Sequence, residues 1–78
     1  MYTVYSKPDC PWCVKAKSLF AEMGVEYREI EVGKEVTSDM YRRMVPGWTT
    51  VPGIWHDNTF IGGYTELLAF FGEKYLID

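Results

Sequence analysis

The chain has 78 residues, enough for one small domain with a limited core. Aromatic residues make up 17% of it, so each core position can bury more apolar area than usual. A net charge of −3 disfavours nucleic acid, which selects a basic footprint, and no stretch is long enough to span a membrane.

In chain order, Tyr2-Thr3-Val4-Tyr5 reads as a strand, rich in β-branched and aromatic residues. From Val14 the pattern turns helical, with Ala16, Leu19, Phe20 and Met23 on one stripe and Gly24 as the stop. Pro11 suits the first helical position, where its missing N–H has no partner to lose. Val25 to Val32 reads as a second strand, with Val25 and Tyr27 in one phase and Ile30 and Val32 in the other, a switch that a local bend explains. Gly33 to Ser38 is a connection. Thr37 or Ser38 caps a short helix with Met40, Tyr41 and Met44 facing inward, and Pro46-Gly47 ends it. Met40 and Met44 are read as core residues. Gly53-Ile54-Trp55-His56 and Thr59-Phe60-Ile61 flank Asp57-Asn58, a two-residue hairpin signal. His56 is expected at the surface or an edge, without a catalytic role. After the break at Gly62-Gly63, Thr65 caps a last helix in which Leu67, Leu68, Phe71 and Tyr75 share a face. The order β-α-β-α-β-β-α, with a right-handed crossover at the front and a hairpin later, predicts a four-stranded mixed sheet flanked by helices. The class is α/β. Residues 1–78 form one domain, without repeats or linkers.

Cys10-Pro11-Trp12-Cys13 stands between the first strand and the first helix and holds both cysteines of the chain. Cys10 falls at the helix N-terminus, where the dipole and unpaired N–H groups lower a thiol's pKa, and Cys13 falls one turn inside. Zinc needs about four ligands, and only His56 is left to join the two thiols. A structural disulfide here closes too short a loop to restrain the unfolded chain much. Two inert buried thiols do not suit the shaped Pro-Trp turn. Reversible dithiol–disulfide chemistry fits the pattern best. The first strand begins at once, with no signal-peptide pattern, so the expected compartment is a reducing cytoplasm, where such a pair is catalytic more often than structural.

These residues resemble the glutaredoxins, small members of the thioredoxin-fold superfamily, from Tyr5-Ser6-Lys7 to Leu68. Lys7 precedes the dithiol; Cys10-Pro11-Trp12-Cys13 resembles the dithiol motif; Thr49-Thr50-Val51-Pro52 resembles the Thr-Val-Pro loop; Gly62-Gly63-Tyr64-Thr65-Glu66-Leu67 resembles the Gly-Gly motif. The resemblance implies a thioredoxin fold and a glutathione-dependent thiol–disulfide oxidoreductase acting on protein disulfides and glutathione mixed disulfides. Cys10 is then the attacking thiolate and Cys13 the resolving thiol. Lys7, Trp12, Thr50, Val51, Pro52, Gly63, Tyr64 and Thr65 form the glutathione groove, with a cis Val51–Pro52 bond facing Cys10. Glutathione is the reducing co-substrate, with no resident cofactor and no metal. The expected partners are glutathione and disulfide-containing proteins, ribonucleotide reductase among them, met by a monomer.

The sequence also departs from the family pattern. Asp39 stands where a basic or amide residue commonly faces the glycine carboxylate of glutathione, and Trp48 stands where Arg is common. Tyr64 and Thr65 replace a Cys-Asp pair. Arg42 or Arg43 can substitute for the missing cation, and Glu66 for the missing acid. Two alternatives follow: a thioredoxin-like redoxin recharged by a flavoprotein reductase, and an iron–sulfur carrier bridging two chains through Cys10. Pro11 and Cys13 disfavour the carrier, because the helix start is stiff and an internal disulfide competes for Cys10.

Overall fold

A computed structural model describes residues 1–75, with side chains described through residue 72. The elements are β1 (Tyr2–Ser6), α1 (Pro11–Met23), β2 (Tyr27–Glu31), α2 (Ser38–Met44), β3 (Gly53–His56), β4 (Thr59–Gly62) and α3 (Tyr64–Tyr75). Their order is the one expected. The sheet runs β2-β1-β3-β4, with β1 and β2 parallel and β3 antiparallel to both of its neighbours. The β1–α1–β2 crossover therefore places α1 across the sheet, with its N-terminus at the C-terminal end of β1.

The core lies between the sheet and the α1/α3 layer. Val4, Ala16, Phe20, Ile54, Leu67 and Phe71 are at most 1% exposed. The Phe20 ring meets Tyr2, Tyr27 and Phe71 at centroid distances of 5.2, 5.0 and 5.6 Å. Truncating such a ring costs about 3–5 kcal/mol, a large share of a small domain's stability. Beneath α1, the buried Ser6 hydroxyl donates to Glu29 Oε2 at 2.7 Å, and Lys17 Nζ holds the same oxygen at 2.9 Å. These bonds, Ser6 first, hold the Glu29 carboxyl below its ordinary pKa.

Several expectations change. The phase switch in β2 needs no bend, since its register with β1 is continuous from Tyr2↔Tyr27 to Ser6↔Glu31. The strand is covered on both faces instead: Tyr27 stacks on Phe20 of α1, while Ile30 lies on the opposite face beside Tyr5, whose ring meets Tyr41 of α2. Met40 and Met44 are not core residues; they are 55% and 38% exposed, and Tyr41 alone of the three is buried. A two-turn helix resting one phenol on the sheet has its inward stripe filled by that ring. Leu68, at 41% exposed, also turns outward. The buried stripe of α3 follows the i, i+4 pair Leu67 and Phe71. Tyr75, expected on the same face, has its side chain outside the described residues. His56, expected at the surface or an edge, is half-buried at the end of β3, an inner strand, and stacks on Tyr2 at 4.4 Å.

Candidate active site

Cys10 is the N-cap of α1, with extended backbone (φ −113°, ψ 103°), and Pro11 follows in the first turn. The Cys13 N–H points back at Cys10 Sγ at 3.2 Å, and the Val14 N–H bonds to the Cys10 carbonyl at 3.1 Å. Side-chain acceptance at an N-cap satisfies an orphan donor of the first turn. Here the acceptor is sulfur, and negative charge on it would be met by that donor and by the helix dipole. The two cysteines form a disulfide, with Cα atoms 5.2 Å apart. Cys13 is 1% exposed, whereas Cys10 is only part-buried. An incoming reagent therefore reaches the sulfur of Cys10 and not that of Cys13.

Opposite the dithiol, the Val51–Pro52 bond is cis, as expected. The Val51 carbonyl oxygen lies 3.8 Å from Cys10 Sγ. The groove expected from sequence is divided here by the Thr50–Val51 segment into two cavities. One, of about 330 Å³, has Lys7, Ser38, Tyr41, Arg42, Thr50 and Val51 among its lining residues. The other, of about 410 Å³, is walled by Trp12, Trp48, Val51, Pro52 and Tyr64, with Gly63, Thr65 and Glu66 beneath. Lys7 thus sits apart from Trp12, Pro52, Gly63, Tyr64 and Thr65, while Thr50 and Val51 serve both cavities. Trp12 is 53% exposed; its ring leans on Tyr64 at 5.8 Å and lies under Lys15 Nζ at 4.4 Å.

The start of α3 corrects a second expectation. Thr65 is not its cap. Gly63 precedes the first helical residue, its carbonyl accepts from the Leu67 N–H at 2.9 Å, and its own N–H is taken by Glu66 Oε1 at 2.8 Å. This is the reach-back half of a capping box, with a carboxylate satisfying the cap's N–H. The backbone and space favour glycine at Gly62, and the space is tight at Gly63. Gly62 has φ +132°, and a Cβ there would meet Glu66 Cβ at 2.7 Å. A Cβ on Gly63 would press on Trp48 Cζ2 at 3.2 Å.

Three residues outside the expected groove shape it. Trp48 forms an aromatic wall, packed edge-on against Phe60 at 5.3 Å, with its indole N–H buried and unbonded. Glu66 lines the same cavity. Tyr41 donates its hydroxyl to the Thr50 carbonyl at 2.6 Å. Burial pushes its phenol up to about 12. The Trp48 indole acts in the opposite direction and lowers it. An aromatic residue directly before Thr-Thr-Val-Pro was the available signal for Trp48; nothing local marked Tyr41. Asp39 is spent on Arg42, at 3.3 Å on the exposed face of α2. Among the described residues no group of three or more His, Cys, Asp or Glu side chains could hold a metal ion.

Comparison with known proteins agrees with this geometry. The glutaredoxin family model matches residues 2–61. A glutaredoxin of Pseudomonas aeruginosa is 40% identical over 68 residues, which cover 85% of this chain and 79% of that one. The hybrid peroxiredoxin hyPrx5 of Haemophilus influenzae is 38% identical over 69 residues, covering 88% of this chain but 28% of the hybrid protein. Among solved structures, a buckwheat glutaredoxin–glutathione complex superposes with a TM-score of 0.81 at 26% identity, covering 96% of this chain and 71% of that one. The shared architecture is the thioredoxin fold. With its accessible N-cap cysteine, its buried partner and the facing cis-proline loop, the chain belongs to the glutaredoxin family of thiol–disulfide oxidoreductases.

Proposed function

We propose that this glutaredoxin draws its electrons from glutathione and spends them on protein disulfides and glutathione mixed disulfides. The observation that carries the reading is the part-buried Cys10 sulfur facing the Val51 carbonyl, between a cavity with two cations and a cavity with three aromatic rings. Glutathione is a peptide around a thiol, with a carboxylate at each end and an ammonium at one. Its cysteinyl backbone pairs with Val51 as an added strand would. Its glycine carboxylate meets Lys7 and Arg42. Its γ-glutamyl carboxylate meets the first-turn N–H groups of Tyr64 and Thr65, which have no intrahelical acceptor. Gly63 is not among these donors, because Glu66 occupies its N–H. The other Glu66 oxygen is available to the ammonium. That the buckwheat relative is a glutaredoxin–glutathione complex supports glutathione as the ligand.

The chemistry is exchange through mixed disulfides. The Cys10 thiolate attacks one sulfur of a substrate disulfide, forms the mixed disulfide and releases the other sulfur as thiolate. For a protein substrate, Cys13 attacks Cys10, frees the substrate thiol and leaves the Cys10–Cys13 disulfide. One glutathione opens that bond to a Cys10–glutathione mixed disulfide; a second takes the first away as glutathione disulfide. Each cycle moves two electrons. For a glutathionylated protein Cys10 alone suffices. We place this chemistry in a reducing cytoplasm, in a monomer, with ribonucleotide reductase as one candidate acceptor and a peroxiredoxin disulfide, suggested by the hybrid relative, as another.

The Asp39–Arg42 ion pair weakens the cationic cavity and keeps one alternative in view, a redoxin recharged by a flavoprotein reductase. The test is direct. The oxidised protein is offered either glutathione with glutathione reductase or thioredoxin reductase, each with NADPH, and NADPH loss is followed. Turnover with glutathione and none with the flavoprotein alone is expected; the reverse would overturn the proposal.

A further inference from the structure

The segment Thr49–Pro52 belongs to no helix or strand, yet its backbone is the common wall of both cavities. One side chain ties it down by a hydrogen bond. Among the described residues, the hydrogen bond that reaches this backbone in the disulfide form is Tyr41 Oη to the Thr50 carbonyl, at 2.6 Å. The Cys10 sulfur, 3.8 Å from the Val51 carbonyl, can donate only once it is a thiol. The turn just upstream closes on itself through Trp48 N–H to the Val45 carbonyl at 3.0 Å.

We propose that Tyr41 is a positioning residue: its hydroxyl sets where the Thr50–Val51 backbone meets a substrate beside Cys10. The role rests on the reading that Val51 pairs with the peptide flanking the substrate's sulfur. Four observations support it. Tyr41 is held firmly, 6% exposed, with its ring against Tyr5 at 5.7 Å on a helix capped by Thr37 Oγ1 at 3.0 Å from the Met40 N–H. The far end of the loop closes on the same hydroxyl, for a Cβ on Gly53 would collide with Tyr41 Oη. The phenol, pushed up to about 12, stays a donor across the range in which thiols exchange. And the contacts that stabilise the Cys10 thiolate, the Cys13 N–H and the α1 terminus, lie elsewhere, whereas the Val51 carbonyl can bond only the protonated thiol. Losing the hydroxyl therefore moves the wall and leaves the nucleophile alone.

Tyr41→Phe keeps the ring and removes the bond. The expected result is a KM for a glutathionylated peptide raised at least fivefold, with kcat within twofold and the rate of Cys10 alkylation by iodoacetamide unchanged. A merely structural role is separated by Phe71→Leu, a core change in α3 that lowers Tm without touching the loop. If Phe71→Leu raises KM as much as Tyr41→Phe, or if Tyr41→Phe slows alkylation, the positioning role is overturned. The underlying reading is tested in the wild type, by comparing the glutathionylated peptide with the same peptide capped by 2-mercaptoethanol. A wild type blind to the cap refutes the groove itself and the Tyr41 role with it. A wild type that prefers the glutathione cap, with an unchanged KM in Tyr41→Phe, refutes the Tyr41 role alone.

Discussion

The two cavities either side of Val51 are built from opposite materials. The Lys7/Arg42 side offers charge on exposed, flexible side chains, one of which is already paired with Asp39. The Trp12/Trp48/Tyr64 side offers rigid rings, glycine backbone and a helix start. Exposed charges contribute little in water and are screened by salt, whereas aromatic walls lose less entropy when they close on a ligand. Affinity should therefore come chiefly from the aromatic side, while the cationic side steers and orients. Between them, the sulfur that attacks the substrate sits at a helix start and is not among the residues lining either cavity.

The largest effects should fall on that sulfur. Cys10→Ser should abolish turnover with every disulfide. Cys13→Ser should retain turnover with a glutathionylated peptide and lose most reduction of a protein disulfide, since only the second reaction needs an internal resolving thiol. Turnover by Cys10→Ser on either substrate would reverse the assignment. In the wild type, iodoacetamide alkylation of Cys10 against pH should titrate below the ~8.5 of a free thiol, because an N-cap sulfur faces unpaired N–H groups.

Next in size is the aromatic wall. Trp48→Ala removes the ring that packs on Phe60 and backs Gly63. The expected cost in binding a glutathione mixed disulfide is about 1.4 kcal/mol, roughly tenfold, the scale of one aromatic contact. Lys7→Ala should cost less, about 0.5 kcal/mol or roughly twofold, and that loss should fade as salt is raised. Inhibition of turnover by S-methylglutathione gives both numbers. If Lys7→Ala costs more than Trp48→Ala, the ranking of the two sides is wrong.

These predictions rest unevenly on sequence and structure. The dithiol and its helix start were legible as local patterns whose chemistry needs few neighbours, and the cis-proline loop and the glycine pair were legible through the resemblance to the glutaredoxins. The element order was legible for the same reason: Gly24, Pro46-Gly47 and Asp57-Asn58 punctuate the chain. Burial was harder to read. Met40 and Met44 have helical spacing, but a two-turn helix whose stripe is filled by Tyr41 leaves them outside. The phase switch in β2 looked like a bend because a strand covered on both faces shows two phases at once. Tyr41 was invisible as a site residue because its part arises across the fold, from α2 onto a loop that leads into β3, whereas Trp48 was marked by its place before the Thr-Val-Pro loop but not by the wall it forms. Thr65 lost the cap because Glu66, three residues beyond Gly63, reaches back to it.

Among the smaller expected effects is the one that most sharpens the comparison. Asp39 pairs with Arg42 at 3.3 Å, with both side chains mostly exposed. Asp39→Gln removes a negative charge near the cationic cavity and releases Arg42 toward it, so binding of a glutathione mixed disulfide should tighten, by a few tenths to about 1 kcal/mol. Stability should move the other way. Asp39 lies in the first turn of α2, where a carboxylate favours the helix dipole, and its loss there costs about 0.3–1 kcal/mol. Tighter binding from a less stable variant cannot be ascribed to a general firming of the fold. The gain should appear at low salt and largely vanish near 0.5 M, where screening reaches inside the span of the site. A gain that persists at high salt would mean that Asp39 obstructs the cavity by shape and not by charge. No gain at low salt would mean that Arg42 takes no part in binding, leaving Lys7 as the working cation of that side.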